Sequence, residues 1–211
     1  MEKILSQLNE SQCEAVKYNE GPSLVVAGAG SGKTRVLTYK IAYLISQGMN
    51  PWNILALTFT NKAAKEMRSR IATLVGEDTA RRLNMGTFHS VFSRILHIEA
   101  ASIGYEPSFT IYDETDSRSL LKNIIKGMGL DDKKYKASTV HNRISMAKNH
   151  LITAEDYVMD RSALQRDFET RMPDMHNIYT AYQARLRQAN AMDFDDLLVN
   201  TYPVSYTHLT L

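Results

Sequence analysis

Residues 23–34 read Ser23-Leu24-Val25-Val26-Ala27-Gly28-Ala29-Gly30-Ser31-Gly32-Lys33-Thr34, and their order decides the fold. The apolar run 23–27, rich in β-branched side chains, predicts a buried strand. It breaks at once into Gly28, Gly30 and Gly32, residues that permit the backbone angles of a sharp turn. Behind them Leu37, Ile41, Leu44 and Ile45 recur at helical spacing, and Gly48 and Pro51 supply the stop signals. Consecutive N–H groups in such a bend, with the positive end of the following helix, make a cradle for phosphate oxygens. Lys33 would reach the β- and γ-phosphates of a nucleoside triphosphate, and the Thr34 hydroxyl would bind Mg²⁺. The candidate nucleotide site is therefore Ala27, Gly28, Ala29, Gly30, Ser31, Gly32, Lys33 and Thr34. Ala27 stands where the usual pattern has glycine, a mild departure that adds one methyl group. The alternative is a glycine-rich turn with no ligand, and the loop alone does not say what the triphosphate drives.

Outward from the loop, strand and helix alternate. Ile54 to Phe59 reads as a second buried strand, followed by a helix with Ala64, Met67, Ile71 and Leu74 on one face, ending at Gly76. A third strand is expected around Met85 to Phe88, before a helix carrying Val91, Phe92, Ile95 and Leu96 and ending at Gly104. This alternation implies an α/β domain with parallel pairing. The texture changes near Pro107. After FTIYD everything reads as helix: Asp113 caps Leu120, Leu121, Ile124, Ile125 and Met128, and Ser138 caps Val140, Ile144 and Ala147. Thr153 with Asp156 forms a capping box, and Met175 to Leu186 makes one more helix, ended by Ala189–Asn190.

Hydrophobic residues make up 44% and charged residues 23%, the balance of a globular protein. The net charge of +2 gives no general argument for nucleic acid, so any such argument must rest on local groups. One cysteine, Cys13, excludes an internal disulfide and fits a reducing compartment. The polar start MEKILSQLNE is not a signal peptide, and no apolar run approaches the roughly 20 residues of a membrane helix. A cytoplasmic location without membrane partners is the expectation.

Four further segments narrow the function. Leu8-Asn9-Glu10-Ser11-Gln12-Cys13-Glu14-Ala15-Val16 resembles the glutamine motif of UvrD/Rep-like superfamily 1 DNA helicases, and the loop continues as GAGSGKTRVL in that family's form. Leu57-Thr58-Phe59-Thr60-Asn61-Lys62-Ala63-Ala64-Lys65-Glu66-Met67 resembles its first DNA-contact motif, and Gly86-Thr87-Phe88-His89-Ser90 the next. Met192-Asp193-Phe194-Asp195-Asp196-Leu197-Leu198 resembles the segment where such chains return from a helical insertion. Each alone is weak, since TFH or TFTN is more often core and turn, and Gln12 read blindly is an exposed helix residue. Together, in order, they identify the chain as similar to that family over about residues 3–200.

The resemblance implies a P-loop, RecA-like parallel-sheet domain, incomplete, with an inserted all-helical subdomain. Its first part would span 1–106, the helical subdomain 107–190 and the return 191–202, leaving 203–211 as an atypical tail that suggests truncation or foreign sequence. It implies ATP and Mg²⁺ as ligands, with Gln12 reading the adenine edge through an amide that both donates and accepts. Arg35 would lie beside the nucleotide. Phe59, Thr60, Asn61, Thr87, Phe88 and His89 would contact single-stranded DNA, the aromatics by stacking and the polar groups on the sugar-phosphate chain. The parent would be a 3′-to-5′ helicase acting on single strands and single-strand/duplex junctions. The rivals are the motor part of a RecB/AddA-like helicase–nuclease and a nucleotide-gated DNA-binding module without motor activity.

The remaining polar residues read more plainly. Asp193, Asp195 and Asp196 are not expected to be the catalytic acids, because Gln188 to Met192 reads as a helix end rather than an apolar strand. In the family a strand ending in Asp-Glu, which holds Mg²⁺ and activates water, follows the Asp193 segment by a few tens of residues; that strand is expected to be missing here, along with a second motor domain. Lys133, Lys134 and Lys136 read as a solvated loop or as a contact with duplex phosphates. The six histidines show no zinc spacing.

Overall fold

A computed structural model describes residues 5–207, which fall into two compact units divided between Val91 and Phe92, inside one helix. In the first unit, α1 (Glu10–Lys17) precedes the glycine loop, and α2 (Lys33–Ser46) follows it. A single 3-10 turn, Pro51–Asn53, leads to β1 (Leu55–Thr58), α3 (Asn61–Val75), α4 (Glu77–Arg81) and β2 (Asn84–Thr87). β1 and β2 pair in parallel, Leu55 against Asn84 through Thr58 against Thr87. Parallel pairing puts both strand ends at one edge, so the residues after Thr58 and Thr87 emerge side by side. Ile41, Ile54, Ala56, Met67, Ile71, Leu83 and Met85 pack beneath as the core. α3 starts on Thr60, whose hydroxyl accepts from the Ala63 N–H, and stops at Gly76, where φ is 87°.

The strand expected at 23–27 is not formed. A β-strand holds only while its N–H and C=O groups find a partner strand. Among the described residues none pairs with this segment, and Leu24 and Val26 stand 87% and 86% exposed. Of the stripe expected on α2, Ile41 is buried and Leu44 and Ile45 pack against the core, but Leu37 is exposed, and Val36, Tyr39 and Ala42 are buried instead.

The second unit begins within α5 (Phe88–Glu99) and continues through a 3-10 segment, Ala100–Ile103, to β3 (Thr110–Tyr112). Then come α6 (Glu114–Gly127), α7 (Ala137–Asn149), α8 (Ala154–Met159), α9 (Arg161–Glu169), α10 (Met175–Gln188), β4 (Ala191–Asp193) and α11 (Phe194–Thr207). Leu121, Ile125, Tyr135, Val140, Ile144, Tyr157, Met175, Ile178, Tyr179, Tyr182 and Leu186 form its main core. Leu96, Ala100, Tyr105, Phe109, Met192, Leu197 and Val204 form a second cluster, joining residues before the helical stretch to residues after it.

The cap expected at Asp113 forms, as a capping box with Asp116, and so does the capping box expected at Thr153–Asp156. Ser138 does not cap α7; the cap position is Lys136, without a side-chain bond, and Ser138 lies in the first turn. The stretch 107–190 is not all-helical: β3 forms within FTIYD, ahead of the helices, and pairs in parallel with β4, Thr110 against Ala191 through Tyr112 against Asp193. Residues 191–193 are thus a buried strand rather than a helix end: Asn190, at φ 47°, ends α10 and turns the chain into β4. α11 runs on past Pro203, and Val204 is buried; 208–211 lie outside the described residues. Among the described residues no helix is long and apolar enough to cross a membrane.

Candidate nucleotide and DNA site

The glycine loop is accessible along its length and is held by its own hydrogen bonds. Gly30 and Gly32 take φ of 76° and 86°, a left-handed backbone that glycine adopts without penalty. Gly32 is the N-cap of α2, so no side chain occupies the helix's first amides, and no acidic residue sits in its first turn. The positive end of α2 is open to an anion. The Lys33 ammonium donates to the Ala27 and Gly28 carbonyl oxygens at 2.7 Å each, and the Ser31 hydroxyl donates to the Gly28 oxygen at 2.7 Å. Ala27 to Thr34 are thus gathered around one bend, with Lys33 folded back over it.

Gln12 reaches this loop from α1. Its Nε2 donates to the Ser31 carbonyl at 3.0 Å, and its Oε1 accepts from the Asn9 N–H at 3.2 Å. The Asn9 side chain accepts in return from the Gln12 N–H at 2.9 Å, completing a capping box. The Asn-x-x-Gln spacing was the signal for this second role of Gln12, and the reading of a base-contacting or merely exposed residue passes over it. Arg35 lies with its guanidinium 5.5 Å from the centre of the Tyr39 ring, and Tyr39 donates to Gln7 Oε1 at 2.6 Å.

The two aromatic motifs meet at the strand ends. Phe59 is 91% exposed, and its ring lies 5.6 Å from that of Phe88 at a 43° tilt. Neighbouring polar groups are tied to the backbone. Thr60 caps α3, Asn61 opens that helix, and the Thr87 hydroxyl bonds to Ser90 at 3.0 Å. His89 lies in the first turn of α5. Gly86 leaves room for this turn: a Cβ there would lie 2.5 Å from Ser90 Oγ and 3.0 Å from a Val91 methyl, so those side chains would have to shift. Arg68 ties α3 to the same strand by donating to the Met85 carbonyl at 2.9 Å.

In the second unit Asp193 and Asp196 are paired. β4 ends on Asp193, and the Lys148 ammonium bridges Asp193 at 2.6 Å and Asp196 at 2.8 Å, all three being buried. Tyr182 donates to Asp193 at 2.9 Å and Gln183 to Asp196 at 3.1 Å. Burial works against the Lys148 ammonium, but Asp196 and Asp193 outweigh it and raise its pKa. Burial also works against both carboxylates. The Lys148 ammonium overcomes it at Asp193, which falls below the usual range, whereas Asp196, facing Asp193 as well, is raised. The sequence contains no sign of Lys148 as a partner for these acids, which lie far along the chain. β3 is followed by Asp113-Glu114, the cap and the first residue of α6. Those acids are engaged locally: Asp113 caps α6, and Glu114 pairs with Arg118 one turn on. Among the described residues no cluster of His, Cys, Asp and Glu could hold a metal ion by itself.

Comparison with known proteins adds the following. Residues 8–209 match the sequence family described as UvrD/REP helicase N-terminal domain. The chain is 45% identical over 203 residues to the ATP-dependent DNA helicase PcrA of Leuconostoc citreum, covering 95% of this chain and 26% of that protein. It is 46% identical over 202 residues to PcrA of Staphylococcus epidermidis and 45% identical over 202 residues to that of Staphylococcus aureus, in each case over 95% of this chain and 27% of the relative. The chain thus spans about a quarter of the length of the relatives it matches.

Proposed function

Because the chain belongs to the UvrD/REP helicase N-terminal domain family, we propose that it is the ATP-binding portion of an ATP-dependent DNA helicase that moves 3′ to 5′ along single-stranded DNA. Residues 1–106 with 191–202 would belong to the first, RecA-like motor domain and 107–190 to a helical subdomain. The observation that carries the reading is the bend from Ala27 to Thr34, with uncapped α2 amides and an ammonium poised over it. A triphosphate entering there would draw Lys33 from the Ala27 and Gly28 carbonyls onto its β- and γ-oxygens, a stronger, charge-assisted bond. The Thr34 hydroxyl, exposed in the first turn of α2, fits a ligand to Mg²⁺, which would neutralise charge on the phosphates. Gln12 and Arg35 would flank the base.

Phe59 and Phe88 offer a two-ring ledge for bases at the strand ends, where parallel sheets place their ligands. Thr60, Asn61, Thr87 and His89 would hold the sugar-phosphate chain. Lys133, Lys134 and Lys136 are exposed and would meet duplex phosphates at a junction. The chain by itself is expected to hydrolyse ATP negligibly, since Asp113 and Glu114, which follow β3, and Asp193 and Asp196, at and just past the end of β4, already serve capping and ion pairing. Titration with a fluorescent ATP analogue and Mg²⁺ tests the cradle. Lys33→Ala should weaken binding about tenfold or more, the size of a lost charged hydrogen bond, with the unfolding midpoint unchanged. Equal affinity in the two proteins would refute the site, and brisk ATP turnover by the unsubstituted chain would refute the account of its acids.

A further inference from the structure

The Gln12 amide has both ends committed to protein before any base arrives. Oε1 accepts from the Asn9 N–H, which fixes the amide's orientation, and Nε2 donates to the Ser31 carbonyl inside the phosphate loop. The contact is close: a Cβ on Gly32 would lie 2.9 Å from Gln12 Nε2. In a trans peptide the carbonyl and the following N–H point in opposite directions. Pinning the Ser31 carbonyl to Gln12 therefore turns the Gly32 N–H away from α1. Among the described residues that N–H has no acceptor. Ser31 is held from its other side as well, its hydroxyl bonded to the Gly28 oxygen. A line of hydrogen bonds thus runs from the start of α1 through Gln12 and Ser31 to Gly28.

We propose that Gln12 is a positioning residue for the phosphate loop: its amide sets the 31–32 peptide plane so that the Gly32 N–H is presented to a phosphate oxygen, whatever base the nucleotide carries. The inference rests on the cradle reading and goes beyond the adenine contact. The two roles are compatible, because an amide oxygen has a second lone pair and an amide nitrogen a second N–H.

Tripolyphosphate, which has no base, separates them. Calorimetric titration of the 211-residue chain with magnesium tripolyphosphate and with magnesium ATP should show Gln12→Ala weakening both. Tripolyphosphate affinity should fall about three- to tenfold, the size of one hydrogen bond. Gln12→Glu keeps an acceptor for the Asn9 N–H but loses the donor to Ser31, so it should show the same tripolyphosphate loss with α1 still capped and the unfolding midpoint near that of the parent chain. Unchanged tripolyphosphate affinity in either variant, even with weakened ATP, overturns the proposal and leaves Gln12 a base reader. An unsubstituted chain that binds ATP but not tripolyphosphate overturns it too. Binding of neither ligand by the unsubstituted chain fails the cradle itself.

Discussion

The two units treat their polar groups in opposite ways. In the first, Lys33, Ser31 and Phe59 stand at accessible positions; Lys33 and Ser31 bond to loop carbonyls that a ligand can replace, and Phe59 meets the Phe88 ring. In the second, Lys148, Asp193, Asp196, Tyr182 and Tyr179 are buried, bonded to one another and to the Ile152 carbonyl. A binding site needs polar groups whose present partners are exchangeable. A buried network needs partners that never leave, because an unpaired charge in the interior costs far more than a pair gains. Ligand chemistry should therefore be sensitive to changes in the first unit and stability to changes in the second.

Alkali should break the second unit hardest. Burial pushes Tyr105 and Tyr157 up to about 12 and raises Tyr179 and Tyr182 further. A tyrosine whose pKa is raised in the folded state contributes stability that is complete below its unfolded value near 10 and is lost as pH climbs through that value toward the folded one. Lys148, also raised, loses its contribution in the same direction above its ordinary 10.5. Each tyrosine neutral in the fold and ionised in the unfolded chain removes about 1.4 kcal/mol per pH unit, so four of them outweigh most single substitutions. Between pH 10 and 12, helical ellipticity should fall in step with tyrosinate absorbance. Tyrosines that ionise freely while the helices persist would mean the second core is more open than described.

Lys148→Ala should come next. It leaves Asp193 and Asp196 buried together without their shared cation, a loss of about 3–5 kcal/mol. Lys148→Met, of similar length, should be as poor, because the carboxylates remain. ATP-analogue binding at temperatures where the protein stays folded should be unchanged. Chemical denaturation read by ellipticity checks the first expectation and fluorescence titration the second. A drop in nucleotide affinity would erase the contrast between the units.

What the sequence disclosed follows the range of the interactions. The cap at Asp113, the capping box at Thr153, the glycine stop at Gly76 and the strands before Phe59 and Phe88 depend on neighbours within one or two turns, and each formed as read. The loop's residues also come together as their spacing implies. The failures depend on distant partners. The 23–27 segment has strand composition, yet composition supplies no neighbouring strand. β4 is three residues long and is specified by β3, some eighty positions earlier, as much as by Ala191 and Met192. Lys148 carries no local mark that it will neutralise two aspartates. The Asn9–Gln12 capping box is a local pattern too and legible in the sequence, but the same glutamine also fits an adenine contact, and the sequence does not say that it bonds to Ser31.

The smallest expected effect, on stability, is also the sharpest test of the first unit. Phe59 is an aromatic ring almost wholly in water, touching Phe88 by one tilted face. A large apolar side chain left so exposed contributes little to folding, so Phe59→Ala should shift the unfolding midpoint hardly at all. Affinity for an oligothymidylate should fall by about 1–3 kcal/mol, the usual worth of one base–aromatic stack. Phe88→Ala, removing the partly buried ring of the pair, should cost both affinity and some stability. Fluorescence anisotropy with a labelled oligonucleotide measures the first and thermal unfolding the second. A Phe59→Ala protein that binds the strand undiminished would place the DNA elsewhere, and one that unfolds early would mean the ring belongs to the core rather than to a ligand.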